Sequence, residues 1–189
     1  MWTLAVVGGL VFFIHTGVNI HQAAFLRDHG ISASVAASAL TVLAGGTAVG
    51  SVIWGALIDR LPVKVVYSAT AAWLGGMALV FLLVDSAGMA FVAAALFGIG
   101  IGGLLVVPPV AIANYFGRDS LGAIRGVTEP FVSGGQAIGA VGAGLIFDLT
   151  GSYARTFPVF TAAAGLAVIL LLVTRHPQKK PVAQPGPAS

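Results

Sequence analysis

Six runs of apolar residues, each long enough to cross the hydrocarbon core of a bilayer, take up most of this chain. A spanning helix needs about 20 mostly apolar residues. The runs cover residues 4–24, 35–58, 65–84, 89–113, 126–147 and 156–174. Polar or turn-forming clusters separate them: Arg27-Asp28-His29-Gly30, Asp59-Arg60-Leu61-Pro62, Asp85-Ser86-Ala87-Gly88, Gly117-Arg118-Asp119 and Thr150-Gly151-Ser152. Strands of a membrane barrel would be about ten residues long with alternating polarity, and these runs are too long and too uniformly apolar. The expected fold class is therefore an all-α integral membrane protein with six transmembrane helices.

Composition closes off the soluble alternatives. Of 189 residues, 58% are hydrophobic and only 8% are charged. A soluble domain has roughly 25% charged residues, so this chain cannot clothe itself for water and its first partner is a lipid bilayer. Cysteine is absent, which removes disulfides and thiolate metal sites, and no metal or other cofactor is expected. The basic residues sit between apolar runs rather than in a patch interleaved with aromatics, so nucleic acid is not an expected partner. The 26 glycines fit helices that approach closely in lipid, where packing drives association.

Lysine and arginine set an expected orientation. Arg27 and Arg155 lie at odd-numbered junctions, whereas Arg60, Lys64, Arg118, Arg125, Arg175, Lys179 and Lys180 lie at even-numbered junctions or after the last run. The positive-inside rule then places both termini in the cytoplasm of a multi-pass protein. The expected location is the plasma membrane, and a bacterial inner membrane in particular. The first run begins almost at Met1 without a charged n-region or a small-residue cleavage site, so it does not read as a cleaved signal peptide. Residues 175–189 are Pro-rich and polar and are expected to form a disordered cytoplasmic tail.

The chain carries an internal repeat. Residues 45–59 read GGTAVGSVIWGALID and residues 134–148 read GGQAIGAVGAGLIFD. At this offset of 89, Gly45, Gly46, Ala48, Gly50, Val52, Gly55 and Asp59 meet identical residues. The two segments belong to the second and fifth runs, each the middle of a three-helix unit. Three spans per unit give the units opposite orientations, the inverted-repeat construction common in secondary transporters.

The sequence from Gly55 through Asp59-Arg60-Leu61-Pro62-Val63-Lys64 resembles the G-x-L-x-D-R-x-G-R-K loop motif of the major facilitator superfamily. Pro62 stands where the motif has its second Gly, and Val63 replaces the basic residue after it. Tyr115-Phe116-Gly117-Arg118, Leu121-Gly122-Ala123-Ile124-Arg125-Gly126 and Phe147-Asp148-Leu149-Thr150-Gly151-Ser152-Tyr153 look like helices ten and eleven of that superfamily, with similarity to the monocarboxylate and oxalate–formate transporter branch. The resemblance covers the chain up to about Arg175 and implies the C-terminal six-helix half of a twelve-helix transporter, present as a half or a fragment. It implies transport of a small solute by alternating access, and pairing with an N-terminal six-helix half or a second copy. The alternative is a membrane scaffold or assembly subunit that moves nothing.

The candidate functional residues follow from cost and position. By resemblance, Gly55, Asp59, Arg60 and Lys64 form a gating loop; the plainer reading is a short turn with membrane-surface anchors. His15, Asn19 and Gln22 share one face of the first helix. Polar groups within a membrane are costly unless paired or facing a water-filled cavity. They either hold helices together by hydrogen bonds or line a solute path, in which case His15 is also a candidate for proton coupling. Arg125, Glu129, Ser133 and Gln136 form a stripe on the fifth helix. Arg125 and Glu129 are expected to pair locally near the cytoplasmic end, while Ser133 and Gln136 are candidates for solute contact. Pro108-Pro109 is expected to interrupt the fourth helix as a kink, static or flexing. The related branch often meets a carboxylate with a cation in helix eight or eleven, but the second run has no charge between Val35 and Ile58 and the fifth none between Phe131 and Phe147, so a buried cationic carboxylate site is not expected in this half: either the solute is neutral or the charge lies in the other half that the resemblance implies. Enzyme chemistry finds no support: there is no G-x-S-x-G and no histidine in the sixth run, as an intramembrane hydrolase would need.

Overall fold

A computed structural model describes residues 1–117 and 121–174. Arg118, Asp119, Arg175, Lys179, Lys180 and the expected tail lie outside the described residues. The described chain forms six long helices and no strand: α1 (Trp2–Asp28), α2 (Ala33–Ile58), α3 (Val63–Val80), α4 (Ala87–Phe116), α5 (Leu121–Thr150) and α6 (Thr156–Val173). A 3-10 turn, Phe81–Leu83, extends α3, and another, Tyr153–Arg155, leads into α6. All six are long and apolar enough to cross a membrane.

Several helices outrun their apolar stretches because local capping, not hydropathy, sets their ends. The hydroxyls of Ser32 and Ser86 accept from the backbone N–H groups of Val35 and Met89, both at 3.4 Å, and so start α2 and α4. Gly30 follows α1 with φ +78° and Gly117 follows α4 with φ +87°, a left-handed conformation that costs glycine little. Pro108 and Pro109 both lie inside α4, which is helical from Ala87 to Phe116. A third helical proline, Pro130, sits inside α5. In lipid, packing against neighbouring helices lets a spanning helix survive the lost backbone bonds.

The packing follows a two-fold pattern. The most extensive contacts join α2 to α4 and α1 to α5; α3 packs on both α4 and α6, and α6 packs on α1. Exchanging α1–α3 with α4–α6 reproduces the same set of neighbours. The glycines give the register. A Cβ added at Gly46 would meet the backbone of Ala95, and one at Gly50 the backbone of Ile99. At the equivalent seam, Gly135 abuts the backbone of Gly9 and Gly139 that of Phe13. The repeat offset of 89 thus holds between α2 and α5, and these partners fix an offset of 86 between α1 and α4. Residues 75 and 164, equivalent at 89, face each other: a Cβ on Gly75 would strike the Ala164 methyl. The pseudo-two-fold axis therefore passes through the α3–α6 contact, where the Thr161 hydroxyl donates to the Gly75 carbonyl at 2.8 Å.

One end of the bundle carries Arg60, Lys64 and Arg125, and is called the basic end below. The opposite end is filled by buried aromatics: Phe81 stacks on Phe157 with centroids 5.6 Å apart, and Phe25 meets Phe157 edge-on at 4.9 Å. Burial is uneven. α4 is the most enclosed helix, while α2 and α5 present most of their surface outward.

Candidate functional site

Because every residue of an α-helix advances the chain by about 1.5 Å, the polar stripe on α5 from Arg125 to Gln136 reaches about 16 Å from the basic end toward the middle of the bundle. The structure lays this stripe along a cavity of ≈ 170 Å³ between α1, α4 and α5. Arg125, Glu129 and Gln136 line it from α5, Phe12 from α1, and Pro108 and Pro109 from α4. Three separately expected features, the charged pair, the polar α5 residue and the proline pair, therefore meet in one place.

The chemistry of the cavity differs from expectation in one respect. Arg125 and Glu129 do not pair: both are exposed, and no ion pair engages either among the described residues. Arginine N-terminal to glutamate is the weaker order for an i, i+4 pair on a helix, and both side chains are free to turn to the cavity. The Thr128 hydroxyl, also on the wall, is spent locally on the carbonyl of Arg125 at 3.3 Å. Proline has no N–H, so Pro108 and Pro109 cannot bond to the carbonyls of Leu104 and Leu105 four residues earlier. Leu104 and Leu105 lie on the same wall.

Other expected residues fall elsewhere. Ser133 is exposed and is not on the cavity wall. The α1 stripe also stays out of it. Asn19 donates to His15 Nε2 at 3.3 Å, the imidazole packs edge-on against Phe12, and His15 Nδ1 is buried without a partner. Gln22 is wholly buried, and neither atom of its amide finds a hydrogen bond. His21, off that stripe, donates to the carbonyl of Ala140 at 2.8 Å and so ties α1 to α5.

The residues of the loop motif separate into two roles. Asp59 and Arg60 are exposed at the end of α2, and neither side chain has an ion-pair partner among the described residues. Gly55 is half-buried, with open space where a Cβ would stand. Lys64 instead donates to the carbonyls of Leu172 at 2.6 Å and Thr174 at 2.9 Å, satisfying the open C-terminus of α6.

Sequence reasoning passed over three contributors. Pro130 borders a larger apolar groove of ≈ 560 Å³ between α1 and α5, beside Phe13, Phe131 and Ile138; a proline inside an apolar run is the sequence signal for it. The indoles of Trp54 and Trp73 donate to the carbonyls of Ile99 at 2.9 Å and Leu96 at 2.8 Å, pinning α2 and α3 to α4. A tryptophan withdrawn from water, buried like Trp54 or half-buried like Trp73, needs a partner for its N–H, and that rule is the signal for both.

Residues 1–188 match the family model described as Major Facilitator Superfamily. A search of curated proteins finds no match.

Proposed function

The chain belongs to the major facilitator superfamily, and from that premise we propose that it carries a small organic solute across the membrane by alternating access, as the C-terminal six-helix half of the transporter. The observation that carries the reading is the cavity at the basic end, where Arg125, Glu129 and Gln136 converge with polar groups that the fold leaves uncommitted. A structural scaffold gains nothing from placing unpaired polar groups along a transmembrane helix, since they are costly there unless they face water or a ligand.

In this reading the basic end faces the cytoplasm, as the distribution of Arg60, Lys64 and Arg125 favours, and the membrane is the plasma membrane. Asp59 and Arg60, exposed and unpaired, are positioned to gate against a second six-helix unit. The outward surfaces of α2 and α5 are where that unit would pack, whether it is an N-terminal half or a second copy. His15, with one ring nitrogen buried and unpartnered, is the candidate for proton coupling.

Purified chain in liposomes tests transport directly. Solute counterflow is expected, with Gln136→Ala lowering it roughly tenfold, the effect of about 1.4 kcal/mol, while Tm stays unchanged. Folded protein that exchanges no member of a broad solute panel, alone or with a second six-helix unit, would overturn the reading. A His15→Ala variant with unaltered transport and pH profile would remove the proton-coupling role alone.

A further inference from the structure

We propose that the cavity at the basic end binds a small zwitterionic solute, one carrying a carboxylate and an ammonium group a few bonds apart, with the carboxylate on Arg125 and the ammonium on Glu129 and the carbonyls of Leu104 and Leu105. The proposal rests on the transporter reading and names the substrate class of that site.

Arg125 and Glu129 line the cavity one helical turn apart, and residues so spaced have Cβ atoms about 5–6 Å apart. They carry opposite charge, yet neither is paired with the other or with any described residue. Each therefore keeps its full capacity for a charge-assisted bond. A monoanion would engage Arg125 and leave Glu129 facing it in repulsion; a simple cation would do the reverse. A solute that is neutral overall but separates its charges satisfies both. The absence of a mid-membrane charge on α2 and α5 points the same way, since the inner part of the path has nothing to neutralise a net charge.

The acceptors are also lopsided. The same cavity is lined by Leu104 and Leu105, whose carbonyls have no helical donor at Pro108 and Pro109. A carboxylate accepts only, and so do carbonyls. The ligand group that belongs there is a multiple donor, and an ammonium brings three N–H bonds. At the inner limit Gln136 offers both a donor and an acceptor to whatever side chain the solute bears. The volume, ≈ 170 Å³, suits a molecule of a few heavy atoms.

Isothermal titration of the full chain in non-ionic micelles tests this with three probes of matched shape: alanine, propionate and ethylammonium. Alanine is expected to bind at least about tenfold more tightly than either single-charge analogue. Arg125→Gln should erase the preference over ethylammonium, and Glu129→Gln the preference over propionate. Propionate binding as tightly as alanine would overturn the proposal, as would either variant retaining the full preference. If a variant does not fold, the three probes on the unmodified chain decide alone. Nanodiscs of phosphatidylethanolamine or phosphatidylglycerol separate a free solute from a lipid headgroup with the same charges. Alanine binding is expected in both; binding that only phosphatidylethanolamine abolishes would assign the site to the lipid and overturn the solute. Alanine binding without counterflow would sink the transporter reading and leave this site standing, whereas counterflow of a monoanion alone would do the opposite.

Discussion

The inverted repeat gives the cavity at the basic end a counterpart at the opposite end, and the two regions have the same backbone plan with different contents. Arg125, Glu129 and Gln136 on α5 correspond to Ala36, Leu40 and Thr47 on α2 at the offset of 89, and Pro108 on α4 corresponds to Gln22 on α1 at the offset of 86. Around the first set there is a cavity lined by exposed charges. In the second, Ala36 and Gln22 are buried, and the Thr47 hydroxyl is spent on the carbonyl of Leu43 at 3.0 Å. The glycine frame is common to both: Gly46 and Gly135, Gly50 and Gly139 each press on a neighbouring backbone. Glycine contacts set how the helices approach, while the side chains between them decide which end is hollow. Gln22 is the informative exception. It is a polar group stranded in the closed region, at the position where the open region has a cavity wall.

The largest effects should come from breaking the shared frame. A side chain at Gly50 or Gly139 would run into backbone, of Ile99 or Phe13 respectively, which cannot move aside as a side-chain tip can. Gly50→Leu and Gly139→Leu should each cost more than about 3 kcal/mol, beyond the usual range for overpacking, and yield no folded protein in micelles. Gly45→Ala and Gly134→Ala, with open space around the new Cβ, should leave Tm within a few degrees or raise it. If Gly139→Leu folds while Gly50→Leu does not, the two seams do not share one frame and the comparison fails.

Gln22 sharpens the comparison. A buried amide without partners carries an uncompensated desolvation cost of about 1–3 kcal/mol. Gln22→Leu, close in volume, should therefore raise stability to chemical denaturation by about 1 kcal/mol or more. Gln136→Leu should change it little, because that amide already lies on a cavity wall. A loss of stability in Gln22→Leu would mean that the amide is satisfied after all, and the closed region would lose its resemblance to a latent site.

The fold was legible because lipid makes one demand that sequence records directly: long apolar runs. The repeat was legible mainly through its glycines, which close backbone approach requires at Gly46, Gly50, Gly135 and Gly139; the flanking helices diverge because lipid-facing positions accept many apolar residues. The site was read residue by residue, and the convergence of Arg125, Gln136 and Pro108 was not visible, since helical spacing orders residues along one helix and says nothing about which helix faces it.

A smaller effect concerns the fastening of α4. Trp54 and Trp73 meet edge-on at 6.3 Å, and each indole donates to an α4 carbonyl. Trp54→Phe keeps most of the apolar contact and removes one bond, so it should cost about 1 kcal/mol, read as a shift in the denaturation midpoint. No loss would show that the indole is packing only. The repeat counterpart of Trp54 is Ala143, buried against no equivalent bond, so Ala143→Gly should be felt less than Trp54→Phe.

The smallest effect tests whether the loop motif holds the fold or serves movement. Lys64 joins the start of α3 to the end of α6 through the carbonyls of Leu172 and Thr174. A cation at a helix C-terminus typically contributes about 0.3–1 kcal/mol, and Lys64 is partly exposed, so Lys64→Met should cost about 0.5 kcal/mol. Raised salt should shrink the difference between the two proteins, because surface charges are screened within about 10 Å at 0.1 M. Asp59→Asn, which removes a charge with no ion-pair partner among the described residues, should leave stability unchanged and lower counterflow. A variant that instead lost stability by as much as Lys64→Met would assign Asp59 to the same structural clasp, and the gating role would fall to Arg60 alone.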